Sequence, residues 1–340
     1  MLTHAIVTAA TQAWPPFVLV AGLLLIGAVT AEDGLFEAIG ARLARSQLGP
    51  RSLLVALLGL VAAVTAVLNL DTSVVFLTPV LVHAARRQGL DERPFLYGSV
   101  FMANAASLLL PGSNLTNLLV LRGGERAGGS FAAHMLPAWL VACALTAGFV
   151  VLVLHPGKAG RRARGALPPI RLRLGAAATL AAVLLVVVAP NPAIPVLAVG
   201  LAAVAAQRLR PRLDTRLLGF LFLVTVALGT CARLWDGPAE LLGSQDAWSV
   251  AGIGAAASLL VNNVPATVLF ATRPLPHPYA LLLGLDLGPN LAVTGSLSAV
   301  LWFQAARGVG ARPSIATYTR LGVVLVPLTL AASVAVSSWT

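Results

Sequence analysis

Apolar residues run through this chain in long blocks, roughly 14–31, 52–83, 95–121, 131–154, 174–189, 193–206, 217–232, 247–272, 278–306 and 321–339, separated by short basic or Pro/Gly-rich stretches. Blocks of this length predict helices solvated by lipid rather than the one-sided helices of a soluble domain. Several do not suit a single crossing. As one straight helix, 52–83 would measure about 48 Å, against a hydrocarbon core of about 30 Å. Arg42, Arg45 and Arg51 precede it and Arg86, Arg87 and Arg93 follow it, so both flanks carry the charge of cytoplasmic loops. A re-entrant hairpin meets both conditions, and 247–272 is expected to form a second one entering from the opposite side.

With those two hairpins, every Lys and Arg except Arg122, Arg126, Arg233 and Arg273 falls on one side. The expected fold is an all-α polytopic membrane protein of two inverted repeats, each with a re-entrant hairpin and a broken transmembrane helix. Its expected parts are an N-terminal span and cytoplasmic loop (1–51), a first transport repeat (52–154), a basic cytoplasmic linker (155–173) and a second transport repeat (174–340). The block 14–31 reads as a retained span with its N-terminus outside, because a basic loop follows it instead of preceding it.

Polar residues interrupt the blocks in pairs. "LNLDTSVVFLTP" (68–79) is answered by "VNNVPATVLFATRP" (261–274), and "PGSNLTNLLV" (111–120) by "LGPNLAVTGSLSAVLW" (287–302). Lipid cannot satisfy such groups, so they are expected to face protein or a water-filled cavity, where unpaired helix ends hold ions and polar solutes near the bilayer midplane. The candidate substrate-binding residues are Asn69, Thr72 and Ser73; Ser113, Asn114, Thr116 and Asn117; Asn262, Asn263 and Thr267; and Asn290, Thr294 and Ser296. Asn, Ser and Thr also glue packed helices together, so it is the pairing of four clusters that points to a site. Asp71 and Asp286 are the acids inside the long blocks, and each is a candidate for proton coupling as a cavity opens to either side. Either could instead cap a broken helix end. Glu32, Asp33 and Glu37 read as the solvated end of the first span, and His83, His134 and His277 as interfacial residues.

Composition narrows the classes. Of 340 residues 58% are hydrophobic and 10% charged, and the mean hydropathy is +0.88, values that place the chain in a membrane. The net charge of +11 sits in loop clusters, which argues against nucleic acid as a partner. Cys143 and Cys231 lie in separate apolar blocks and form neither a disulfide framework nor a metal cluster. "HPGKAG" (155–160) lacks the spacing of a phosphate loop, and neither HExxH nor GxSxG occurs. No cofactor, no metal and no enzymatic activity are expected.

The runs "DTSVVFLTPVLV", "ANAASLLLPGSNLTNLLVL", "VNNVPAT" and "DLGPNLAVTGSLSAVLWF" resemble arsenite permeases of the ArsB type, within the wider ion transporter superfamily that includes sodium/proton antiporters and dicarboxylate carriers. The resemblance runs from about Phe17 to the C-terminus, although family members commonly begin with further spans. It implies extrusion of arsenite or antimonite across the cytoplasmic membrane in exchange for protons, with a separate ATPase subunit or a second copy of the chain as partners. Asp71, Asn114, Asn117, Asn263 and Asn290 match the family pattern. The first hairpin reads "NLD" where many relatives read Asn-Asp, which displaces Asn69 from Asp71 by one residue. Arsenite is mainly an uncharged trihydroxide at neutral pH, so hydroxyl and amide side chains suit it. The same residue types suit sodium, or a dicarboxylate held at helix N-termini.

Overall fold

The computed structural model describes residues 1–121, 128–158, 173–189, 191–211, 215–235 and 237–337. The first half comprises α1 (Leu2–Glu32), α2 (Leu35–Arg45), α3 (Pro50–Val67), α4 (Leu70–Gln88), α5 (Arg93–Ala106), α6 (Leu115–Leu121) and α7 (Gly128–Val153). Then follow α8 (Leu174–Val188) and α9 (Ala193–Gln207). The second half comprises α10 (Thr215–Leu234), α11 (Gly237–Gly243), α12 (Ala247–Val261), α13 (Asn263–Phe270), α14 (Pro278–Leu287), α15 (Leu297–Gly308) and α16 (Ile315–Ser337).

Both expected hairpins are present. Pro50 fits the first turn of α3, where a missing N–H costs nothing. Leu68 leaves helical geometry, and Asn69, fully extended, restarts the chain as the N-cap of α4. Gly89 stops α4 in the left-handed region, with Leu90 N–H returning to Ala85 O. The start of α3 and the end of α4 reach the same loop. Gly49–Ser52 line a cleft with His155–Gly157, while Asp91 donates its N–H to Gly157 O at 2.8 Å. The chain therefore enters and leaves on one face. In the second half, α12 and α13 turn at Asn262, and Arg273 beyond α13 approaches Glu240 of α11 at 3.5 Å, closing the same kind of loop.

The two hairpins open on opposite faces. Arg86 donates to Val309 O (2.6 Å) and Ser314 N–H to Tyr97 Oη (2.9 Å), so α15 ends and α16 begins beside the open end of the first hairpin. The beginnings of α7 and α14 meet on the other face, where His134 stacks on Tyr279 with ring centroids 4.0 Å apart. Arg42, Arg45, Arg51, Arg86, Arg87, Arg93, Lys158, Arg307 and Arg312 crowd the first face, the arrangement the positive-inside rule assigns to the cytoplasm. Equivalent helices pack on each other about a pseudo-twofold: α1 on α10, α5 on α14 and α7 on α16, with α4 against α15 matched by α13 against α6. The protein is an all-α polytopic membrane protein of two inverted repeats.

The order of elements adds what periodicity did not reveal. α1 begins at Leu2, well before the apolar block at 14–31, and continues through Pro15 and Pro16. The short α2 and α11 follow the first long helix of each half, and α8 and α9 pack on α1. Asp33 departs from its expected solvated place. Its carboxylate is buried and accepts Gly175 N–H at 2.7 Å and Gln207 Nε2 at 2.8 Å, tying the end of α1 to the start of α8 and the end of α9. Four described helices are long and apolar enough to cross a membrane; of these, α3 is half of a hairpin. Arg122, Arg126 and most of the expected linker 155–173 lie outside the described residues.

Candidate functional site

Four interruptions converge where the repeats interlock. In the first hairpin tip, Asn69 Oδ1 accepts Thr72 N–H at 2.6 Å, satisfying a donor that the start of α4 leaves open. Asp71 follows within the first turn of α4 and reaches across to the second repeat, where Ser298 Oγ donates to its Oδ1 at 2.6 Å. The hydroxyls of Thr72 and Ser73 and the amide nitrogen of Asn69 are buried with no hydrogen-bond partner among the described residues. Groups in that state are available to a solute or water, because leaving them bare in the interior is costly.

The break between α5 and α6 is built by its own polar side chains. Pro111–Ser113 form a 3-10 turn. Ser113 Oγ donates to the carbonyls of Ser107 and Leu110, and Asn117 Nδ2 donates to the same two carbonyls at 2.8 and 3.1 Å. These residues satisfy backbone that would otherwise be unpaired in lipid. Asn114 and Thr116 point elsewhere: Asn114 Nδ2 (2.9 Å) and Thr116 Oγ1 (2.5 Å) both donate to Asp286 Oδ1 of α14. Asp286 is fully buried, and its Oδ2 has no partner among the described residues.

The break between α14 and α15 contains two 3-10 turns, Gly288–Leu291 and Val293–Gly295. Asn290 Oδ1 accepts from Asn104 Nδ2 of α5 at 2.7 Å. α16 comes so close that a Cβ at Gly322 would collide with Asn290 O, so that contact requires glycine. Ser296 caps α15 by accepting Ala299 N–H. At the second hairpin tip Asn262 adopts φ +76°, accepts Val264 N–H, and donates to Thr294 O at 3.2 Å. Asn263 is buried at the start of α13, and Thr267 spends its hydroxyl on Asn263 O. Thr294 is exposed.

The equivalence of the two breaks differs from the one the sequence suggested. The turn 111–113 and cap Asn114 correspond to 293–295 and Ser296, not to Gly288-Pro289, so Thr116 corresponds to Ser298. Each of these equivalent hydroxyls donates to a carboxylate from another element. Sequence reasoning missed Ser298 and Asn104. An Asn inside the apolar run "FMANAAS" was a usable signal, whereas Ser298 had none beyond its place in "TGSLS". Among the described residues no group of His, Cys, Asp and Glu forms a metal site.

Comparisons with known proteins place the chain among transporters by family and show a shared fold with a solved one. The fold resembles the crystal structure of the Alcanivorax borkumensis YdaH transporter, with a TM-score of 0.57 at 16% identity over 99% of this chain and 88% of that one. "Uncharacterized transporter Rv2685" of Mycobacterium tuberculosis is 26% identical over 368 residues, covering 96% of this chain and 86% of that protein. "Uncharacterized transporter Rv2684" of the same organism is 26% identical over 362 residues, covering 94% and 84%. The expected transporter class holds, but the arsenite-permease branch does not emerge from these matches. The family model CitMHS, described as "Citrate transporter", matches residues 1–285, and the chain belongs to that family.

Proposed function

We propose that this protein is a proton-coupled secondary carrier that moves a small carboxylate-bearing anion across the cytoplasmic membrane by alternating access. The observation that carries the reading is the crossed pairing of the two acids with equivalent hydroxyls, Asp71 with Ser298 and Asp286 with Thr116. Asp71, held among the described residues by the single Ser298 hydroxyl, can take a proton or give it up with little rearrangement. Asp71 is less deeply buried than Asp286, and it stands at a hairpin tip whose movement would change the face it meets.

Four helices, α4, α6, α13 and α15, begin at the breaks with Asn or Ser caps. Their first N–H groups carry partial positive charge and suit the oxygens of an anion. Apart from Arg273 at the far end of the second hairpin motif, the break motifs contain no Lys or Arg, so an anion of several charges would enter partly neutralised by protons or by a co-bound cation. Carboxylate as substrate class is supported by the family description, citrate transporter.

A second reading is extrusion of arsenite or antimonite in exchange for protons, with or without a separate ATPase subunit. It is favoured by the same uncharged donors, which suit a neutral trihydroxide. Proteoliposomes carrying the purified chain separate the two. Labelled citrate and labelled arsenite are offered with and without an imposed proton gradient. Gradient-dependent citrate movement supports the first reading, gradient-dependent arsenite movement the second, and movement of either that ignores the gradient removes proton coupling.

A further inference from the structure

Away from the four breaks, a cavity of about 30 Å³ lies on the face opposite the basic loops, where α1, α6, α10 and α13 meet. Ala9, Ala13, Gly229 and Ala271 leave the space by being small, and Gln12, Thr225 and Arg233 supply its polar lining. A Cβ at Gly229 would lie 3.1 Å from an Arg233 nitrogen and 3.5 Å from the Ala9 Cβ, closing on the space. Since one water needs about 10–15 Å³, the cavity admits a pair of waters or one small ion.

Its electrostatics favour an anion. Arg233 donates to Gly229 O at 2.5 Å and to Gln12 Oε1. Both are neutral oxygens, and a guanidinium has more N–H donors than they use. Thr225 Oγ1 lines the same cavity, 2% exposed, with no hydrogen-bond partner among the described residues. A half-buried cation that meets only neutral groups among the described residues, in a cavity with a buried unused hydroxyl, is what a small anion would complete.

The place of the cavity gives it a role. Three to eight residues inward along each of the four helices stands an apolar plug: Phe17 and Val20 of α1, Leu115 of α6, Phe222 of α10 and Val264 of α13. Phe17 and Phe222 meet edge to face, with centroids 5.5 Å apart. Immediately beyond the plug lie Asn114 and Thr116 with their partner Asp286. An anion at Arg233 is thus separated from the polar breaks by one apolar layer that spans α1, α6, α10 and α13.

We propose that this cavity is a docking subsite for one small anion, the size of chloride or of a single carboxylate group, at the mouth of the carrier opposite its basic face. Arg233 draws the anion and Thr225 and Gln12 orient it. The plug then decides when it passes inward. The proposal stands whichever solute the inner breaks carry.

The test is thermal unfolding of the purified full-length chain at constant ionic strength, with chloride or acetate replacing a bulky sulfonate anion. Ligand that binds only the folded form raises the midpoint by mass action, so a subsite gives a saturable rise. The expected result is such a rise in the unaltered protein and in Asp71→Asn, its loss in Arg233→Gln, and its weakening in Gly229→Ala, which fills the space. A rise with chloride alone identifies an inorganic ion, and one with acetate alone identifies a carboxylate of the solute. Absence of a saturable rise with both anions, or an equal rise in Arg233→Gln, overturns the proposal. If Arg233→Gln does not fold, Gly229→Ala decides it by the same criterion. Because Asp71→Asn leaves this cavity intact, failure of proton coupling and failure of the subsite read out separately.

Discussion

The tips of the two hairpins have the same plan and opposite surroundings. In the first, Asn69 is 2% exposed and Leu68 is 1% exposed, so the turn is sealed inside protein. In the second, Leu260 is 80% exposed and both Asn262 and Thr294 have open sides. Two residues after each capping Asn stands Asp71 in one tip and Val264 in the other. The first tip therefore brings an acid to Ser298, while the second brings an apolar side chain into the plug beside Leu115. Pseudo-symmetry supplies the frame of caps and breaks. Departures from it mark where one half handles charge and the other seals a passage.

The sharpest way to break this comparison is Asp71→Asn. It keeps the shape of the tip and can accept from Ser298, yet cannot change charge. Gradient-driven transport in proteoliposomes should fall to background while exchange of labelled for unlabelled solute persists. Unchanged gradient-driven transport would leave the two tips without a functional difference.

Next in size is the contrast between the equivalent hydroxyls. Thr116→Val removes a donor from a fully buried carboxylate and should cost about 1–3 kcal/mol in unfolding free energy. Asp286 and Thr116 should be coupled in a double-mutant cycle. Ser298→Ala touches a carboxylate less deeply buried than Asp286, so it should cost less stability and instead shift the pH dependence of transport. Equal stability losses at the two hydroxyls would contradict the assigned difference in exposure.

Much of this frame was legible in the sequence because lipid allows few solutions. Polar runs inside apolar blocks, with basic flanks on both sides of 52–83, leave little except a hairpin, and α3 and α4 turn where "LNLD" stands. The breaks at 107–114 and 288–296 were visible for the same reason. The crossed pairs were not: Asp71 and Ser298 are 227 residues apart, and Asp286 and Thr116 are 170 apart. No local pattern specifies such contacts. The short α2 and α11 were too small to register as blocks, and the burial of Asp33 depends on two helices far along the chain.

A smaller effect separates the caps at the tips. Asn69→Ala should cost about 1 kcal/mol, the usual loss for a capping side chain. Asn262→Gly should change stability little. Its lost hydrogen bonds are offset by relief of a left-handed backbone that costs a residue with a Cβ on the order of 1 kcal/mol. A large loss at Asn262 would mean that its bond to Thr294 O matters more than the backbone it strains.

The smallest expected effect lies where the hairpins begin. α3 starts at Gly49-Pro50 with no side-chain cap, whereas α12 starts at Asp246, whose Oδ1 accepts Trp248 N–H at 2.8 Å and Ser249 N–H at 3.0 Å. Hydrogen bonds from the Ser249 backbone and hydroxyl hold the Asp246 carboxyl below the usual carboxylate range, aided by Trp248 N–H. A group whose folded value is lowered contributes stability above its unfolded value, about 3.9, and loses it as pH falls through the lower folded value. Asp246→Asn keeps a capping oxygen but removes the titration. The variant should be slightly less stable than the unaltered protein near neutrality and show a flatter acid limb, the gap closing below about pH 4. Since Asp246 is exposed, the difference should be small, and it should concern the entry of the second hairpin alone. Thermal unfolding followed from neutral pH down to acid measures it, and identical acid profiles for the two proteins would remove Asp246 from the contrast between the hairpins.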